Sequence, residues 1–102
     1  MSEPSKSKDK YFVYILQSAD GRYYTGYTTD LKRRLKEHQA GLGGKFTRSF
    51  GAKEIIYSEL YFDKSIALKR EAQIKGWSRK EKEALVRNDV KGLSKNYMTE
   101  KR

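Results

Sequence analysis

The chain has no cysteine, which rules out a disulfide framework and a thiolate metal site. It has a single histidine, so neither an HxxEH-type motif nor a Cys/His cluster exists, which argues against a zinc enzyme. No apolar run approaches the ~20 residues that a membrane-spanning helix needs. The opening residues, Met-Ser-Glu-Pro-Ser-Lys-Ser-Lys-Asp-Lys, lack the apolar stretch of a secretion signal. A cytoplasmic protein with no membrane segment is the simplest expectation. Acidic side chains are scarce too: 13 Asp and Glu stand against 23 Lys and Arg, for a net charge of +10. That balance favours a polyanionic partner, although an anionic membrane surface would also attract it.

What is present fits one small domain. At 102 residues there is room for a modest core, and hydrophobic residues (36%) barely outnumber charged ones (35%). Residues 1–9 are polar, contain the only proline, and read as a disordered tail. Residues 10–18 are rich in aromatic and β-branched types and read as a strand. Asp20-Gly21 is a hairpin turn signal, and residues 22–28 form the returning strand. Asp30 is placed to cap a helix running to Ala40, with Gly41 at its end. Leu31, Leu35 and His38 share one helical face.

Residues 41–53 read as a long loop bearing Lys45, Arg48 and Lys53, and residues 54–61 as a third strand pairing with the hairpin. A helix begins at Asp63 or Ser65 and runs through Lys75 to Gly76. Ser78-Arg-Lys-Glu81 is a capping-box pattern opening another helix to about Asn88, before a polar tail over residues 89–102. The order is ββαβαα: an α+β fold with a small three-stranded antiparallel sheet, helices packed on it, and one domain over residues 10–88.

Two tyrosines, Tyr14 and Tyr24, lie on the paired strands, and Arg34 follows ten residues after the second. Phenols can hold or activate water and a guanidinium can neutralise a phosphate, so the set suits phosphodiester chemistry. By composition alone any one of eight tyrosines reads as a β-former. Tyr23 and Tyr27 fall on the face opposite Tyr24, because side chains alternate along a strand. Gly26 marks either a close approach by another group or a bend before the helix. Arg34 sits one turn from Leu31 and one from His38, at the border of the buried stripe. Lys32 and Lys36 belong to a solvated basic face. His38, alone beside that stripe, reads first as a packed residue.

Glu71, on a helix that must cover the sheet, needs a partner. An i,i+4 pair with Lys75 would contribute only ~0.2–0.5 kcal/mol. Alternatively the carboxylate holds Mg²⁺ or Mn²⁺, with water and phosphate oxygens completing the shell. Trp77 reads as a core anchor. The Gly-Leu-Gly-Gly-Lys run at residues 41–45 lacks the spacing of a phosphate-binding P-loop and suits a DNA-contact loop.

Val13-Tyr14-Ile15 followed by Tyr24-Thr25-Gly26 resembles the paired motif that names the GIY-YIG nuclease superfamily. Phe12 stands where the first motif has glycine, and Thr25 where isoleucine or valine is usual. The likeness continues through residues 30–38 and 68–75, and covers roughly residues 11 to 83. It is closest to small stand-alone bacterial members, and beyond them to structure-specific junction nucleases. The resemblance implies a metal-dependent DNA endonuclease acting on branched or nicked DNA. Tyr14, with Tyr24 beside it, would orient and deprotonate the attacking water. Arg34 would contact the scissile phosphate, and Glu71 would be the single metal ligand, for Mg²⁺ or Mn²⁺. His38 matches a position where the family often has histidine and would relay a proton or hold phosphate.

Arg33, Lys45, Arg48, Lys53 and Lys75 are the expected nucleic-acid contacts, with Lys69 and Arg79 as further rim residues. Two other readings remain open: a binding module without turnover on the same scaffold, and an RNA-associated protein.

Overall fold

The computed structural model describes residues 9–89, so the expected tails lie, apart from Asp9 and Asp89, outside the described residues. Strands β1 (Tyr11–Gln17) and β2 (Tyr23–Thr28) form the expected hairpin. At its tip Gly21 adopts φ 91°, and its N–H donates to the Ser18 carbonyl at 3.0 Å. Strand β3 (Glu54–Tyr61) pairs antiparallel with the outer edge of β1, giving the order β2-β1-β3. The central strand is therefore covered on both faces: Val13, Tyr14, Ile15 and Leu16 are each 0–1% exposed. A strand buried on both sides loses the apolar–polar alternation that marks a half-buried one.

Four helices follow the same logic of caps and packing. Helix α1 (Leu31–Gln39) starts where the Asp30 side chain accepts from the Arg33 N–H at 3.0 Å. Helix α3 (Lys64–Lys75) is capped by Asp63, which accepts from the Ile66 N–H at 3.1 Å, so Asp63 and not Ser65 sets its start. Helix α4 (Arg79–Asp89) opens with a reciprocal capping box. The Ser78 N–H donates to the Glu81 carboxylate at 2.8 Å, and the Glu81 N–H to the Ser78 hydroxyl at 3.2 Å.

The remaining helix, α2 (Lys45–Phe50), corrects the expected loop over residues 41–53. Its six residues, Lys-Phe-Thr-Arg-Ser-Phe, are too few to show a helical period, and no side chain caps it. Contacts made in the fold hold it instead: Phe46 stacks on Tyr24 with ring centroids 5.3 Å apart.

The two faces of the sheet are put to different uses. On one, Val13, Ile15 and Tyr57 pack against Ala67 and Ile74 of α3, with Trp77 and then Leu85 and Val86 of α4 closing the edge. Trp77 is thus the core anchor expected of it. Helix α3 buries only these two residues and exposes Ile66 and Leu68, which explains the faint apolar stripe in its sequence. A buried ion pair adds a fixed point. Glu59 of β3, 2% exposed, accepts from Nε and Nη2 of Arg70, each at 2.9 Å, and from the hydroxyls of Tyr57 and of Tyr61, the latter at 2.7 Å. The other face, carrying Tyr14, Tyr24 and Gly26, is covered by α1 and α2.

Removing Arg70 would strand a buried carboxylate without its cation. Arg70→Ala is expected to destabilise the fold by about 3 kcal/mol or more. Urea denaturation followed by the fluorescence of the one tryptophan measures it, and an unshifted midpoint would show that the pair contributes nothing.

Candidate active site

Tyr14 is the residue around which the site is arranged. It stands on the central strand directly opposite Gly26 of β2. A Cβ at residue 26 would lie 2.7 Å from the Tyr14 hydroxyl and 3.1 Å from the Tyr24 ring. Between the two readings of Gly26, the close approach applies: the phenol lies across bare β2 backbone, which no side chain would permit. Leu16 faces Tyr24 in the same register, so Tyr14 and Tyr24 share this sheet face, with ring centroids 6.4 Å apart. Tyr23 packs against the core on the opposite face, as alternation requires.

Helix α1 brings the histidine. Leu31 and Leu35 are partly buried, and His38, one turn on, is 1% exposed. Its Nε2 lies 2.9 Å from the Tyr14 hydroxyl and its Nδ1 lies 2.9 Å from the Thr47 hydroxyl. The Tyr24 ring meets the imidazole edge-on at 5.3 Å. Gly43 closes the far side, where a Cβ would fall 2.1 Å from Nδ1. Gly43, Phe46 and Thr47 are site residues that sequence reasoning missed. The glycine run at residues 41–45 was a visible signal for the first, but nothing in the sequence marks Thr47.

Arg34 borders this cluster. Its Nη1 donates to Glu37 at 2.8 Å and its Nη2 to the Gly43 carbonyl at 3.3 Å. The side chain is 28% exposed and faces a groove shared with Tyr27, Thr28 and Arg33. Burial pushes the Tyr14 phenol up to about 12, the Arg34 guanidinium pulls it down, and the charges of Tyr24 and Glu71 add to the rise. Burial likewise holds His38 below the usual histidine value, helped by Arg34 and opposed by Glu37. At neutral pH the phenol is therefore protonated and the imidazole neutral.

Glu71, on α3, has a side chain 15% exposed and an ion pair to Lys75 at 3.3 Å, so the expected i,i+4 pair forms. Its charge also reaches Tyr14. No group of three or more His, Cys, Asp or Glu among the described residues could hold a metal. A cation here would rest on the one carboxylate plus water and substrate oxygens, a hard oxygen donor set that suits Mg²⁺ or Mn²⁺.

Among the expected nucleic-acid contacts, Lys45 and Arg48 are exposed on α2, the helix that carries Phe46 and Thr47 into the site. Arg33 is exposed beside Arg34 and lies 3.5 Å from Glu37. Lys75 reaches back to Glu71, and Lys53 is exposed just before β3. Lys69 is exposed on α3. Arg79 does not rim the site. Its guanidinium lies over the Tyr23 ring at 3.9 Å and donates to the Gly21 carbonyl at 2.8 Å, on the opposite sheet face.

Residues 10–84 match the model of the GIY-YIG catalytic domain. The UPF0213 protein of Natronomonas pharaonis is 46% identical over 80 residues, covering 78% of this chain and 94% of its own. That of Halobacterium salinarum is 49% identical over 73 residues, covering 72% and 95%. A UPF0213 protein of Staphylococcus aureus is 42% identical over 79 residues, covering 78% and 96%. Among solved structures, the UPF0213 protein from Bacillus halodurans, determined by solution NMR, is similar with a TM-score of 0.50 and 43% identity, covering 76% of this chain and 82% of its own.

The lowered proton affinity of His38 has a consequence for stability. A histidine that is neutral when folded binds fewer protons than its unfolded counterpart, whose pKa is ~6.5. Its contribution is fully present above that value and is lost as pH falls through the lower folded value. Unfolding free energy is expected to drop as pH falls below about 6.5, and the drop should shrink in His38→Gln. Denaturant titrations at several pH values test this; equal slopes in the two proteins would refute it.

Proposed function

Since the chain belongs to the GIY-YIG nuclease superfamily, we propose that it is a metal-dependent DNA endonuclease that selects branched or nicked DNA by shape and not by base sequence. The observation that carries the proposal is the buried chain from Tyr14 through His38 to Thr47, with Arg34 at its open end. A phenol pushed up to about 12 is almost never ionised at neutral pH, so a free phenolate is not available as the base. The hydrogen bond to His38 removes the need for one. Water held at the Tyr14 oxygen gives that oxygen its proton while the phenolic proton passes to Nε2 of the neutral imidazole, and the water oxygen attacks phosphorus in line. Arg34 turns from Glu37 to the phosphate and stabilises the charge that develops on it. Mg²⁺ or Mn²⁺ held by Glu71 would supply stabilisation of the leaving oxygen.

A binding module without turnover is the second reading. Phe12 in place of the motif glycine and the unfavourable phenol support it. Cleavage assays with Mg²⁺ and Mn²⁺ over duplex, nicked, branched and single-stranded substrates, DNA and RNA, separate the readings. Binding without cleavage, unchanged in Glu71→Ala, would favour the module, and preferential RNA binding the RNA-associated protein.

For the endonuclease, Arg34→Ala and Glu71→Ala should each lower cleavage by roughly 10²-fold or more and leave the thermal midpoint nearly unchanged, because the pairs they lose are partly exposed and at i,i+3 and i,i+4 spacing. Full nicking by both variants, with contaminating nuclease excluded, would eliminate the mechanism.

Binding through Arg33, Lys45, Arg48, Lys53 and Lys75 would read phosphates, not base edges. With about four phosphates contacted, log K should fall against log salt with a slope near −3 to −4. Arg48→Gln or Lys53→Gln should weaken binding evenly across sequences. A flat salt dependence, or strong discrimination between duplexes of one shape and different sequence, would contradict it.

A further inference from the structure

We infer that Thr47, with Gly43 packed behind the ring, is a positioning residue that holds His38 in the tautomer protonated on Nδ1 and so makes Nε2 the acceptor for the Tyr14 hydroxyl. The inference deepens the nuclease reading and rests on it only for its activity arm. A neutral imidazole has one N–H, so one ring nitrogen donates and the other accepts. Both nitrogens meet buried hydroxyls at the same distance, 2.9 Å, and each hydroxyl can play either part. The choice is made by the groups around them.

Arg34 can only donate, and its guanidinium stands beside this cluster, bonded to Glu37 and to the Gly43 carbonyl next to the ring, where its positive charge bears on the Tyr14 hydroxyl. Gly26 backbone presses on another side of that hydroxyl. With its lone pairs turned toward that cation, the phenol gives its own proton to Nε2. The imidazole proton then sits on Nδ1 and points at Thr47.

Geometry at Nδ1 makes Thr47 the decisive partner. The Gly43 backbone lies so close that a Cβ would fall 2.1 Å from Nδ1 and 2.5 Å from Cε1. Gly43 is itself held there by the Arg34 bond to its carbonyl, at 3.3 Å. Thr47, 3% exposed on α2, is the one hydroxyl presented to that nitrogen among the described residues. In water a neutral histidine favours the other tautomer, with the proton on Nε2. Thr47 thus reverses the free preference, and the reversal is what gives the phenolic proton somewhere to go.

The chain contains one histidine, so its tautomer can be read without ambiguity. Long-range ¹H–¹⁵N correlation spectra of the full chain, recorded at about pH 8 where the ring is neutral, are expected to show a proton-bearing Nδ1 and a bare Nε2. Thr47→Val, close in shape but without the hydroxyl, should move the proton wholly or partly to Nε2. Thr47→Ser should keep the wild-type pattern. On a DNA that the wild type cleaves, Thr47→Val should lose about 10²-fold in rate, and Thr47→Ser should stay near wild type. A wild-type proton on Nε2 would overturn the inference, as would an unchanged tautomer in a well-dispersed Thr47→Val spectrum. If Thr47→Val does not fold, the wild-type and Thr47→Ser spectra decide. If no DNA is cleaved by the wild type, the nuclease reading fails while the spectra still settle the tautomer.

Discussion

The hydrogen bond between the Tyr14 hydroxyl and His38 Nε2 is the constraint on which this molecule turns. It joins the central strand to α1 inside a buried layer, where an unmet polar group would cost about 1–3 kcal/mol. To form it, β2 must offer bare backbone at Gly26, and the segment after α1 must offer bare backbone at Gly43. The second hydroxyl, Thr47, then has to arrive from α2. Two glycines, two strands and two helices are thus bound to one imidazole.

The same bond explains the electrostatics. Burial raises the phenol and lowers the imidazole, so both are neutral at rest. A neutral donor thus lies next to a neutral acceptor, and no charge is stored in the buried layer. Among the described residues, Arg34 is the cation that acts on both groups, and its tie to Glu37 leaves it partly exposed at the groove.

The opposite sheet face does different work. There Glu59 gathers Arg70 and two tyrosine hydroxyls and secures α3 to β3. Arg70 is adjacent to Glu71, so the ion pair that anchors the helix also sets the position from which Glu71 acts on Tyr14. Arg79 stitches α4 to the hairpin on that face, which is why it takes no part in the site.

Much of this was legible in the chain because the signals are local. Asp20-Gly21, the caps Asp30 and Asp63, and the Ser78/Glu81 box each act within a few residues, and strand alternation already assigned Tyr23 and Tyr24 to opposite faces. The family motif brought Tyr14, Tyr24, Arg34, His38 and Glu71 into view, and the family itself is shown by the match over residues 10–84. Helix α2 was not legible, since six residues show no period and its stability comes from Phe46 stacking on a strand 22 residues away in sequence. Nor were the parts of Gly43, Thr47 and the Glu59–Arg70 pair, because each consists of a contact between separate elements. Local chemistry, written in neighbouring residues, determined the elements and their order. Only tertiary structure decided which side chains meet, because a buried hydrogen bond has no sequence period and exists only once the sheet and helices have closed around it.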